Sequence, residues 1–196
     1  MICGCAGSTG TIGGGSSPVL VFSDVHFNPL YDGKLLTALD AADPSQWKAI
    51  YEGSTVTTMQ AYGADTDYLL FKLALSSIQQ NLAGCQLVVY SGDLSATTSR
   101  ASIRRMEAAA IRRASTHSST TAFVTQQIRA CVGNLPVLFA VGNCDSYTGY
   151  GPDSGFLSSN VESFYTQLLN GVADQQQFTT TFSLAAIILS ISSTRS

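Results

Sequence analysis

Charge is scarce in this chain. Asp, Glu, Lys and Arg make up 12% of its 196 residues, against about 25% in an ordinary globular domain, and the formal net charge is −3. That balance gives no overall case for nucleic acid or for an anionic membrane surface. Paired cysteines are missing too. The five thiols, Cys3, Cys5, Cys85, Cys131 and Cys144, form no C-x-x-C pair, which counts against a zinc ribbon or a thioredoxin-type redox site. Cys85 and Cys131 each precede an apolar run and read as ordinary buried thiols. No apolar run is long enough to cross a bilayer; the longest, around Leu184 to Ile191, reads as a final strand, placed over Phe182–Ile191. The N-terminus has neither a basic segment nor a full apolar stretch, so it is not an intact signal peptide. Its glycines are also misplaced for a phosphate loop. Gly13-Gly14-Gly15 precedes the first strand instead of following it, which argues against a Rossmann-type nucleotide binder.

What the chain does have is three short apolar runs that each break into a small polar loop. Val19-Leu20-Val21-Phe22 leads to Ser23-Asp24-Val25-His26. Leu87-Val88-Val89-Tyr90 leads to Ser91-Gly92-Asp93, and Val137-Leu138-Phe139-Ala140-Val141 leads to Gly142-Asn143-Cys144-Asp145. Runs this short and this rich in β-branched and aromatic residues read as buried strands of a parallel sheet. The intervening segments are long enough for crossover helices, which makes the fold class α/β, a mainly parallel sheet flanked by helices. In such sheets ligands sit off the carboxyl ends of the strands. The three loops then gather Asp24, His26, Asp93, Asn143 and Asp145 at one edge. Carboxylate, imidazole and amide groups together suit a divalent metal. Taken singly, each has a plainer role: Asp93 or Asp145 as a helix cap, His26 as a turn residue.

The rest of the chain supplies the frame. Residues 1–17 are Gly/Ser-rich and read as a flexible N-terminus, ahead of a single domain over 18–196. Residues 33–62 read as irregular, with Pro44 and Gly53 as breakers and Trp47 as a packing residue. A helix runs from a cap at Asp65 or Thr66 to about Leu82, with Leu69, Leu70, Leu73, Ala74 and Ile78 at helical spacing. Segment 97–117 carries Arg100, Arg104, Arg105, Arg112 and Arg113, either a solvated face or a patch that steers phosphate-bearing substrates. His117 falls in a Ser/Thr-rich loop. Helices follow over Thr121–Val132 and about Phe156–Leu169.

The motifs D-x-H, G-D and G-N-x-D, each ending a strand, resemble the calcineurin-like metallophosphoesterases, and most closely the acid-sphingomyelinase-like phosphodiesterase branch. The stretches that carry the likeness are SDVHFNPLYD (23–32), YGADTDYLLFKLAL (62–75) with VVYSGD (88–93), and FVTQQIRACVGNLPVLFAVGNCD (123–145). The likeness spans roughly residues 18–190. It implies one half of an α/β/β/α sandwich and a hydrolase acting on phosphomonoesters or phosphodiesters through a dinuclear metal-activated hydroxide. It also implies two divalent ions (Zn, Mn, Fe or Mg). Asp24 and His26 would hold the first, Asn143 the second, and Asp93 would bridge them. Asp93, Asn143 and Cys144 would be the residues at the reacting phosphate.

Two departures qualify the likeness. Cys144 stands where the family usually has a His that protonates the leaving group or stabilises the transition state, and a thiol is a weak donor. The family's later His and Gly-His-x-His motifs are also absent; His26 and His117 are the only histidines. The chain therefore resembles the N-terminal portion of a longer domain, and IILSISSTRS resembles the strand that opens the second half. A sheet without its partner layer would show an apolar face, open to self-association. The alternative function is a catalytically impaired remnant that binds a metal or a partner. A Cys followed by a Gly/Ser tether also resembles the end of a bacterial lipoprotein signal, which would imply a secreted or lipid-anchored protein.

Overall fold

The computed structural model describes residues 2–6, 18–96, 110–147, 151–169 and 174–182; for 2–6 and 110–117 it describes the backbone alone. The described strands form one sheet in the order β1 (Ile2–Ala6), β2 (Val19–Ser23), β3 (Leu87–Tyr90) and β4 (Val137–Phe139). β2, β3 and β4 are parallel, as the crossover lengths require. β1 pairs antiparallel with β2, so residues 2–6 are not part of a featureless leader. Residues 7–17 lie outside the described residues.

Strand alternation sorts the sheet into two faces. Leu20, Phe22, Val88, Tyr90 and Val137 are at most 6% exposed and lie under the helices. On the other face Val21, Val89 and Leu138 stand in register across three strands. Val21 is 37% and Leu138 61% exposed. The helices explain the asymmetry. α4 (Ala110–Val132) buries Phe123, Val124, Ile128 and Val132, and packs against α3 (Tyr68–Gln80) and α5 (Ser154–Ser163). Arg129 ties the end of α4 to its surroundings by donating to the carbonyls of Gly133, Leu135, Gln167 and Leu168.

Several elements differ from the sequence reading, each for a physical reason. α3 begins one to two residues later than expected and is capped by Asp67, whose Oδ1 accepts from Leu70 N at 2.9 Å. Thr66 is unavailable as a cap because it pairs with the strand extension: its N–H donates to His26 O, and its carbonyl accepts from Asn28 N. Segment 33–62 is not irregular throughout. It holds α1 (Leu36–Ala41), a 3-10 turn (Pro44–Gln46) and α2 (Trp47–Glu52). Pro44 opens its turn instead of breaking it, since a first helical position needs no N–H and Asp43 supplies the cap. Trp47 packs as expected, 3% exposed, with its indole N–H donated to Leu39 O at 3.0 Å.

The Ser/Thr run at 118–121 is helix, not loop, so α4 is continuous and His117 belongs to it. Thr120 and Thr121 are buried, and the Thr125 hydroxyl bonds back to Thr121 O at 2.8 Å, so these polar residues are satisfied inside a packed helix. Residues 97–109 lie outside the described residues, and so does the question of an arginine face. α5 starts at Ser154 because Asp153 caps it, accepting from Phe156 N at 2.8 Å, and it continues as a π-helical turn over Phe164–Leu169. Residues 175–182 form a further helix, α6, so Phe182 is helical; the remainder of the expected last strand is outside the described residues. No described helix is long and apolar enough to cross a membrane.

Candidate metal centre

The three loops leave the carboxyl ends of β2, β3 and β4 and meet there. Pairing between the first two continues past the strands. Asp24 N donates to Gly92 O at 3.1 Å, His26 N to Asp93 O at 2.9 Å, and Phe27 N to Leu94 O at 2.9 Å. Phe27 then anchors the first loop in an aromatic cluster, with ring centroids 5.1 Å from Phe71 and 5.3 Å from Phe123. The second and third loops touch backbone to backbone. A Cβ at Gly92, where φ is +101°, would lie 2.3 Å from Gly142 N. A Cβ at Gly142 would lie 2.2 Å from Asp93 Oδ1. Glycine in both G-D and G-N is thus a packing requirement.

Asp24, His26 and Asp93 share an unusual backbone state, with φ of +56°, +44° and +61°. They are the only non-glycine residues with positive φ among the described residues. Such conformations cost about 1–3 kcal/mol each and persist only where the surroundings impose them. Here they turn three side chains toward one point. His26 Nε2 lies 3.4 Å from Asp24 Oδ1 and 3.8 Å from Asp93 Oδ2. One donor atom each from His26, Asp93 and Cys144 lies within 4.8 Å of the others. Ser23 Oγ donates to Asp24, and this bond, helped by His26, holds the Asp24 carboxyl below its ordinary value.

Whether these residues fit a cation is answered by His26. Its Nδ1 is buried without a hydrogen-bond partner, while Nε2 faces two carboxylate oxygens at distances too long for good hydrogen bonds. A single imidazole N–H cannot serve both. Two ligands of one zinc ion stand about 3.0–3.4 Å apart at tetrahedral or octahedral angles, close to the His26–Asp24 spacing. Imidazole and carboxylate donors are those a divalent transition ion takes. Among the described residues, His26 and Asp93 with Cys144 are close enough to share one such ion, and Asp24 stands beside His26.

Asp145, grouped with the donors in the sequence reading, has another role. It is fully buried, and both its carboxylate oxygens accept from backbone N–H groups. Its Oδ2 accepts from Asp93 N and Gly142 N, both at 2.9 Å, and its Oδ1 from Leu94 N at 2.8 Å and Ser95 N at 3.4 Å. Burial pushes its carboxyl up, against the pull of those four N–H groups. The residue fastens the second and third loops together. Cys144 N donates to Asp93 Oδ1 at 2.7 Å, a second tie between the same loops. The Cys144 thiol is pushed up to about 11, by burial first and then by Asp93 and Asp145. Asn143 is exposed, and its side-chain amide donates to Cys144 Sγ at 3.3 Å. The structure therefore joins Asp24, His26, Asp93 and Cys144, and places Asn143 beside the thiol. The clamp role of Asp145 left one sequence signal, an acidic residue three positions after a glycine that must pack tightly.

Comparison with models of known protein families finds no match to this chain. No curated protein matches it either.

Proposed function

We propose that the chain is a metal-dependent phosphoesterase that hydrolyses phosphomonoesters or phosphodiesters at this sheet edge, in the manner of the calcineurin-like metallophosphoesterases it resembles. The observation that carries the reading is the convergence of Asp24, His26 and Asp93 in imposed left-handed conformations. Strain of this kind gathers where a fold holds a working geometry. In this reading the sheet and its helices are one half of an α/β/β/α sandwich, and the open row Val21, Val89 and Leu138 is the face toward the other half.

A divalent ion held by His26 and Asp93, with Asp24 beside them, would supply charge neutralisation at a phosphoryl oxygen and make bound water more acidic. The chain's own groups do the rest. Asp145 and the two packed glycines hold the Asp93 carboxylate in place. Asn143 offers an amide N–H near substrate oxygen. Cys144 stands where the family pattern has its leaving-group histidine, so protonation of the leaving group falls to solvent. A slow enzyme follows, slowest on esters with poor leaving groups.

A second reading is favoured by the donor count. The described residues assemble one cluster, and the sequence holds two histidines in all, too few for the imidazoles of a two-ion family site. A remnant that binds one ion without turnover is the result. Hydrolysis of an aryl phosphate monoester and diester in added manganese or zinc separates the two. Turnover that Asp93→Asn abolishes supports the enzyme. Metal binding without turnover supports the remnant, and turnover unaffected by Asp93→Asn contradicts the site.

A further inference from the structure

We infer that Cys144 is a metal ligand, so that His26, Asp93 and the Cys144 sulfur form a one-ion site that prefers zinc and other thiophilic ions to magnesium or manganese. The inference rests on the metal-centre reading above and goes beyond it in the ligand set and the metal class. It departs from the family pattern, in which position 144 is a histidine acting on the leaving group.

The geometry is the first support. Among the described residues, His26, Asp93 and Cys144 are the ones whose donor atoms all lie within 4.8 Å of one another. Donors on one tetrahedral zinc stand about 3.3–3.8 Å apart, so closure asks for a shift of about 1 Å by side-chain rotation. The sulfur is also fixed relative to the carboxylate. Cys144 N holds Asp93 Oδ1 at 2.7 Å, which leaves Asp93 Oδ2 as the oxygen nearest His26 Nε2. The two over-long contacts at His26 Nε2 are an independent sign of a missing electrophile.

The second support is the shell around the sulfur. Asn143 Nδ2 donates to Cys144 Sγ at 3.3 Å, the kind of outer hydrogen bond that orients a ligating atom and stabilises it when it becomes anionic. Asn143 is then the partner of a ligand instead of a ligand itself. Zinc binding converts the thiol to a thiolate–zinc bond and releases its proton to solvent; nothing is oxidised or reduced. Thiolate donors select zinc over the oxygen-seeking ions, whereas Asp24 and Asp93 alone would not.

Cobalt(II) is the test probe, because a cobalt–thiolate bond gives a charge-transfer band in the near ultraviolet. The full chain titrated with cobalt is expected to show that band. Cys144→Ser is expected to lose it, and to weaken zinc binding at least about tenfold while leaving manganese binding within about threefold. A Cys3→Ser/Cys5→Ser double variant is expected to keep the band. A band that follows Cys3 and Cys5 overturns the inference. So does cobalt bound without a band and lost in Asp93→Asn, an outcome that leaves the metal-centre reading standing. No cobalt or zinc bound by the native chain overturns both. If Cys144→Ser does not fold, alkylation of the native chain read by mass spectrometry replaces it: zinc is expected to protect Cys144, and equal labelling with and without zinc contradicts the inference.

Discussion

Asp145 supports the metal centre without entering it, and its removal gives the sharpest prediction. Asp145→Ala leaves the amides of Gly142, Asp93, Leu94 and Ser95 without their acceptor. Three of these bonds are 2.8–2.9 Å long and the fourth, at 3.4 Å, is weak. Hydrogen bonds to a charged group contribute about 1.5–3 kcal/mol each, so the three short ones have a gross value of about 4.5–9 kcal/mol. Two effects reduce it: water enters the vacated space, and the chain no longer buries a carboxylate. A net loss of about 3–5 kcal/mol remains, a large part of the about 5–15 kcal/mol that holds a domain folded. Asp145→Asn keeps one acceptor oxygen but turns an NH2 group toward two of the amides, and is expected to lose about half as much. Urea unfolding followed by circular dichroism reads both. The order native, Asn, Ala in falling stability is the expected result. A loss under about 1 kcal/mol for Asp145→Ala would refute the clamp, since it would mean that the amides find other partners.

Gly142→Ala places a methyl group 2.2 Å from Asp93 Oδ1, so the second and third loops must part; zinc affinity measured by calorimetry is expected to fall at least about tenfold, and an unchanged affinity would show that the loops do not interlock. Among the described residues, the acid limb of stability carries three lowered carboxyls, Asp24, Asp32 and Asp43, against one raised, Asp145. Asp24 is held below its unfolded value, so its contribution is complete above about pH 4 and is lost as pH falls through the folded value. Asp145 is raised by burial, so the desolvation penalty on its charged form is absent below about pH 4 and grows as pH rises through its folded value, taking back part of what the amide bonds contribute. Urea midpoints between pH 3 and 6 are expected to fall less steeply on the acid side in Asp24→Asn, where Asp32 and Asp43 still titrate, and a curve parallel to the native one would contradict the Ser23 and His26 contacts. Leu138, in the open row of the sheet, is expected to drive association of chains at high concentration. Leu138→Lys should lower that association in sedimentation equilibrium, and no change would assign it to another surface.

The strands were legible because β-branched runs that break into glycine or small polar residues have few alternatives to a buried parallel strand. β2 falls on Val19–Ser23, the expected residues, and the three polar loops meet at the expected edge. What was not legible depended on contacts distant in sequence. Thr66 gives up the cap position to pair with His26, and nothing in the local residues announces that. The Ser/Thr run of α4 looks like a loop until its buried side is known. Pro44 was read as a breaker where it is a starter, because a proline ends one turn and opens the next with equal ease. At the site, residue type pointed to Asp24, His26 and Asp93, but a free carboxylate and a buried clamp share one letter. Only the four amides around Asp145 distinguish it from its neighbours. The closeness of Cys144 to His26 and Asp93 likewise required the fold.

The measurement that tests the metal centre most directly is the metal content of the purified chain after equilibration with zinc, by elemental analysis, for the native protein and for Asp93→Asn. Native chain holding about one ion, and a folded Asp93→Asn holding none, is the expected result for the donor set described. No metal in the native chain, or equal metal in both, would contradict it and leave the convergence of Asp24, His26 and Asp93 without a function.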